Sequence, residues 1–196
     1  MNLRLARPDD YVGLYEVALK TGNGGQDATD DYDDPRLVGE VYVGPYLHFE
    51  PRFSFCLDLD GPAGYVLATF DTPSFEQRCE AEWWPPLRER YPRDMQRRPA
   101  DQGMVETIHH PVLRAPELTE RYPSQLHIDL LPRVQGQGYG PRMLEHQLAT
   151  LAGAGSPGVH LGVATGNLRA QKVYRRLGFT DWKRDGGELI MVRPLP

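Results

Sequence analysis

Between Leu126 and Leu151 the spacing of hydrophobic positions changes from two to between three and four. Leu126, Ile128 and Leu130 enclose His127 and Asp129, the alternation of a half-buried strand running to Leu131. Pro132 ends that run, and Gln135-Gly136-Gln137-Gly138-Tyr139-Gly140 follows. Beyond Pro141, which fixes φ where a helix begins, Met143, Leu144, Leu148 and Leu151 fall on one helical face. The pattern predicts strand, glycine-rich turn and helix. Glycines let successive backbone N–H groups close on a ligand, and the positive end of the helix dipole lies behind them, which favours a phosphate or pyrophosphate. Two common phosphate-binding loops are excluded: no Gly-Lys-Ser/Thr ending is present, and the glycines do not follow G-x-G-x-x-G spacing.

The same reading runs through the rest of the chain. Leu3 to Ala6 alternates as a short strand. Pro8-Asp9-Asp10 opens a helix that Asp9 or Asp10 is placed to cap, with Tyr11, Leu14, Tyr15 and Ala18 as its apolar stripe. Residues 22–36 have almost no apolar content and carry Asp27, Asp30, Asp31, Asp33 and Asp34, the composition of a solvated loop. Val38 to His48 is amphipathic, helical at first and broken at Gly44-Pro45. Phe53–Leu59 and Tyr65–Phe70 read as two strands of a hairpin turning at Asp60-Gly61. Phe75, Cys79, Trp83, Leu87 and Tyr91 recur every fourth residue, a core-facing helical stripe interrupted by Pro85-Pro86. Residues 92–103 read as a basic surface loop. His109 and His110 are adjacent and therefore diverge on any regular element, so no metal site is expected there. Val159 to Val163 is a further apolar strand.

A chain of 196 residues suits one domain, residues 1–196. Its net charge of −5 argues against a nucleic-acid partner. Cys56 and Cys79 lie in apolar settings and read as reduced core residues. The opening MNLRLARPDD lacks the apolar run of a leader, and no stretch approaches a membrane span. The expectation is a cytoplasmic protein, monomer or homodimer, with neither a nucleic-acid nor a membrane partner.

Two motifs narrow the chemistry. Gln135-x-x-Gly138-x-Gly140 resembles the acetyl-CoA loop of the GNAT acyltransferase superfamily. Asn167-Leu-Arg-Ala170-Gln-Lys-Val-Tyr174-Arg-Arg-Leu-Gly178-Phe179 is similar to that superfamily's N-x-x-A-x-x-x-Y-x-x-x-G-F helix and turn. Residues 53–134 carry a narrower resemblance, to the acetyltransferase-like domains of O-GlcNAcase and their free-standing bacterial relatives. Its markers are Gly64-Tyr65, Thr72-Pro73, Phe75, Cys79, Trp83, Pro85, Tyr91, Tyr122-Pro123-Ser124, Ile128-Asp129 and Val134. The animal domains of that group lack the glycine series and are regarded as unable to use acetyl-CoA, whereas this chain keeps it.

The resemblance implies an α/β (α+β) fold, a mixed, twisted and splayed sheet of six to seven strands with helices on both faces. It implies acetyl-CoA as co-substrate, and transfer of the acetyl group directly to the amine of an unidentified acceptor. Backbone groups of Leu130 and Leu131 would meet the pantetheine amides. The amides of Gln135, Gly136, Gln137, Gly138, Tyr139 and Gly140 would hold the pyrophosphate. Asn167, Ala170 and Tyr174 would line the cofactor arm, with Val159–Val163 across the splay. By its place in the motif Tyr174 would protonate the leaving sulfur; a packed core tyrosine is the other reading. Asp129 is the candidate base, because a carboxylate inside a strand is costly unless paired or open to a cleft. A structural ion pair with an arginine is its alternative, and His127, two residues earlier on the same face, is a weaker candidate of the same kind. In this fold residues 22–36 border the acceptor cleft, so the aspartates there would form a lid drawing in a cationic amine. A non-catalytic acetyl-CoA-binding or interaction module is the competing function.

Overall fold

The structure, a computed structural model, describes residues 2–95 and 97–196. Seven strands form one mixed sheet: β1 (Leu3–Leu5), β2 (Ser54–Asp58), β3 (Pro62–Thr69), β4 (Ser124–Leu130), β5 (Gly158–Ala164), β6 (Thr180–Asp185) and β7 (Glu188–Pro194). Their order is β1-β2-β3-β4-β5-β7-β6. All neighbours are antiparallel except β4 and β5. The hairpin β2–β3 turns where expected, with Asp60 and Gly61 both at positive φ (56° and 104°). The closing hairpin β6–β7 was not read from the sequence; β6 is nearly all polar and exposed, so no apolar alternation marks it.

Helices cover both faces. On one lie α1 (Tyr11–Leu19), α2 (Leu37–Tyr42), α3 (Gly44–Phe49), α4 (Thr72–Arg78), α5 (Trp84–Arg90) and α6 (Pro99–His109), packed with Cys56, Tyr65 and Leu67 of the sheet. On the other lie α8 (Tyr139–Gly153) and α9 (Leu168–Arg176), whose Leu144, Leu148, Leu151 and Tyr174 pack on Leu126, Val159, Leu161 and Val163. The short α7 (Pro116–Thr119) precedes β4. Both cysteines are buried and free. Among the described residues no helix is long and apolar enough to cross a membrane.

Three local expectations are corrected. Asp10 does not cap α1 through its side chain; its carboxylate accepts from the Arg7 N–H (2.7 Å) and pairs with Arg4, which also holds Asp58. The stripe from Phe75 buries Trp84 and leaves Trp83 half-buried, because the π-helical turn Cys79–Trp83 inserts a residue into the period. Residues 92–103 are not all loop: Pro99 opens α6, which buries Asp101, Val105 and Ile108.

Candidate active site

The one parallel pair among the described residues opens the cavity that is the candidate site. β4 and β5 register through Ser124↔Val159 and Gln125↔His160, and there the pairing ends. β4 continues along β3 as far as Gly64↔Leu130, and β5 continues along β7 to Ala164↔Glu188. The two strands therefore diverge, leaving the edges 126–129 and 161–164 facing a cavity of about 360 Å³. Backbone polar groups on such edges need a partner, and a bound ligand can supply it. Gly64 is required beside this opening: a Cβ there would stand 2.8 Å from the Asp129 carbonyl oxygen.

The glycine-rich turn lies at the end of β4. A 3-10 turn over Pro132–Val134 leads into Gly136 and Gly138, both in left-handed backbone (φ 78° and 80°), and α8 starts at Tyr139, two residues before Pro141. The N–H groups of Gly136, Gln137 and Gly138 have no acceptor among the described residues, and the first turn of α8 adds further free N–H groups. The cradle is narrower than the sequence suggests. The Gln135 N–H is taken by the Pro132 carbonyl (3.2 Å), and its side chain braces the turn. Gln135 Nε2 donates to the Leu130 carbonyl (2.9 Å) and to Gly25 (3.3 Å), while Oε1 accepts from Arg169 (3.3 Å). The Leu131 N–H belongs to the sheet, bonded to Ala63.

Across the splay, Asn167 lines the cavity and caps α9, its Oδ1 accepting from the Ala170 N–H (3.1 Å). Gly178, at φ 82°, ends the helix, and Phe179 returns to pack against Tyr174. Tyr174 is buried, lines the cavity, and its hydroxyl forms no hydrogen bond among the described residues. Burial, reinforced by the charge of Asp129, raises its pKa, so the phenol keeps its proton.

The opposite wall belongs to the face covered by α1–α6. Tyr65, fully buried on β3, donates its hydroxyl proton to Asp129 Oδ2 (2.6 Å). The same hydroxyl oxygen lies 3.1 Å from His127 Nε2, and that nitrogen is 3.2 Å from Asp129 Oδ2. The His127 ring stacks against Tyr42 and Tyr65, with ring centroids 5.7 Å and 5.5 Å away. Burial first, and then Asp129, holds Tyr65 well above the ordinary phenol range. The arginine pairing considered for Asp129 is therefore not what forms. An arginine is nearby, but Arg114 binds both oxygens of Glu188 (2.7 and 3.2 Å), further along the same cavity. Gly162 makes room for that pair, since an added Cβ would run into the Glu188 carboxylate.

The acidic segment is placed differently from a lid of aspartates. Gly22, Gly24, Gly25 and Tyr32 line the cavity, but none of Asp27, Asp30, Asp31, Asp33 and Asp34 does. Asp33 pairs with Arg98 (2.8 Å), Asp34 accepts from Tyr91 (2.9 Å), and Asp27 accepts from Thr29. Buried Asp101 of α6 accepts from the N–H groups of Asp33 and Asp34 (2.9 and 3.1 Å). His109 and His110 lie elsewhere, in an open groove, with His109 Nε2 2.9 Å from the Tyr91 carbonyl.

Sequence reasoning brought Asp129, Asn167 and Tyr174 to one cavity. It missed Tyr65 as a site residue, and Arg114 and Glu188 altogether. A tyrosine within the apolar run Ala63 to Ala68 was a usable signal, because a buried phenol needs a partner for its hydroxyl.

Known proteins share this fold. A solved structure of SsHAT is 37% identical, with a TM-score of 0.91 over 98% of this chain and 96% of that one. The structure of yncA from Salmonella typhimurium with acetyl-CoA has the same fold at 13% identity, with a TM-score of 0.59 over 100% of this chain and 98% of that one. Protein O-GlcNAcase of Rattus norvegicus is 25% identical over 175 residues, which is 87% of this chain and 19% of that protein. The chain thus spans about a fifth of the length of the curated relatives it matches. The model of the acetyltransferase (GNAT) family matches residues 25–179, and the chain belongs to that family.

Proposed function

We propose that the protein is an N-acetyltransferase that moves the acetyl group of acetyl-CoA directly to an amine held on the β3/β4 wall of the cavity. The observation that carries this reading is the joint placement of Tyr174 and Asp129 on one cavity at the splay. The free N–H groups of Gly136 to Gly138 and the start of α8 would take the pyrophosphate. The edges of β4 and β5 would take the pantetheine arm, with Asn167 and Ala170 beside it. When bound, acetyl-CoA supplies the activated acyl group. The cluster of Asp129, Tyr65 and His127 is the basic centre that removes the proton from the attacking nitrogen. Tyr174, which keeps its proton, delivers it to the sulfur as the carbon–sulfur bond breaks. One domain over residues 1–196 contains all of these groups.

The test is a panel of amines (a polyamine, an aminoglycoside, free amino acids, lysine peptides) with acetyl-CoA, following release of free thiol. Amine-dependent release that Asp129→Asn abolishes is expected. Tight acetyl-CoA binding with no release for any amine would leave the non-catalytic module as the function.

A further inference from the structure

Asp129, Tyr65 and His127 meet at three short distances, and those distances decide where the protons are. A carboxylate only accepts, so the single hydroxyl proton of Tyr65 goes to Asp129 Oδ2 at 2.6 Å. The Tyr65 oxygen then has only lone pairs to offer His127 Nε2 at 3.1 Å. The second atom near Nε2, Asp129 Oδ2 at 3.2 Å, is also an acceptor. In the neutral ring Nε2 therefore carries the hydrogen, and Nδ1 is the bare nitrogen. Stacking against Tyr42 and Tyr65 fixes the plane of the ring. Nδ1 has no partner among the described residues, and the side chain is 32% exposed, on the cavity.

We propose that His127 Nδ1 is the atom that takes the proton from the acceptor amine, and that Asp129 and Tyr65 act through it. This rests on the acetyl-transfer reading above and assigns the proton acceptor within it. The amine nitrogen attacks the thioester carbon and becomes cationic, and His127 Nδ1 takes one of its protons. The carbon–sulfur bond then breaks, its electron pair leaves with sulfur, and Tyr174 protonates the thiolate. Proton return from the imidazolium to the Tyr174 oxygen restores both groups, so the products are the amide and the free thiol. The imidazolium is formed 3.2 Å from Asp129, whose charge stabilises it. The other charged groups on the cavity, Arg114 and Glu188, neutralise each other. Of the phenols facing the ring, Tyr65 is pushed up by burial and stays neutral, and Tyr42 is exposed.

Three measurements test this. In the unliganded wild-type protein, nitrogen–proton correlation NMR of the histidine rings should show His127 as the Nε2–H tautomer. His127→Gln keeps an amide donor near the Nε2 position without a basic nitrogen; its kcat should fall on the order of 10²- to 10⁴-fold with acetyl-CoA affinity retained. His127→Ala opens space on the cavity beside Tyr42 and Tyr65, and added imidazole should restore turnover with the best amine of the panel. A structural histidine would not be rescued in this way. An Nδ1–H tautomer, wild-type kcat in His127→Gln, or failure of imidazole to rescue His127→Ala would each overturn the assignment. The tautomer is read without turnover, so a wrong tautomer counts against His127 alone. Absence of thiol release by the wild-type protein with every amine counts against the acetyl-transfer reading.

Discussion

Acid should weaken this fold through one buried imidazole. His160 sits on the last rung that joins β4 to β5, opposite Gln125, and is fully buried. Its Nδ1 is 2.8 Å from the Tyr122 carbonyl and so carries the hydrogen, while Nε2 is buried without a partner. Burial is the main reason its pKa falls from 6.5 to about 4; the Tyr122 carbonyl opposes that fall, and Arg114 adds to it. The folded value lies below the unfolded one, so the stabilisation is fully present above pH 6.5 and is lost as pH falls toward 4. A shift of that size corresponds to about 3 kcal/mol in all, of which about 2 kcal/mol should disappear between pH 7 and pH 5. Urea unfolding at constant ionic strength measures it. His160→Asn keeps a donor for Tyr122 and removes the titration, so its loss of stability between pH 7 and pH 5 should be smaller by that amount. The comparison of slopes matters, because Glu76, raised by burial, works in the opposite direction. Depressed Asp10 acts only below its ordinary value of 3.8. Equal slopes in His160→Asn and wild type would refute the reasoning.

Other perturbations separate chemistry from folding. Tyr174→Phe removes a hydroxyl that forms no internal hydrogen bond, so unfolding should shift by less than about 0.5 kcal/mol, while turnover falls roughly 10²-fold or more; wild-type turnover would return Tyr174 to the core. Gly140→Ala places a methyl 3.5 Å from Leu130 Cδ1 without positive-φ strain, so calorimetry should show weaker acetyl-CoA binding by an intact fold. Unchanged affinity would move the pyrophosphate away from α8. Gln147 is fully buried on α8 with neither amide atom partnered, so Gln147→Leu should raise the urea midpoint, by about 1–3 kcal/mol of stability. A lower midpoint would show that a bound water satisfies the amide.

What was legible in the sequence is what depends on near neighbours. The helix from Asn167 carries its own cap, closing glycine and apolar spacing and formed where read, while the turn from Gln135 formed in place but gives way to α8 at Tyr139, two residues early. The helix at Pro99 was obscured by charge. It follows Arg97 and Arg98 and buries an aspartate, so only Val105 and Ile108 mark its apolar side.

The β3/β4 wall of the cavity and the acidic segment show why the rest was hidden. Tyr65 and Asp129 are 64 residues apart, and they meet only because β3 and β4 register Tyr65 opposite Asp129. Read alone, Asp129 looks like a charge in search of an arginine. The partner it has is a phenol contributed by pairing. The five aspartates fail as a lid for the same reason. Asp33 and Asp34 meet Arg98, Asp101 and Tyr91, all far along the chain, and those partners hold the two residues off the cavity lining, which the segment reaches through its glycines and Tyr32 instead. Charge composition told how much acid the segment holds, but not where it points. A carboxylate's setting is decided by the neighbours the fold brings to it, here Tyr65 and His127 on the lining of one cavity.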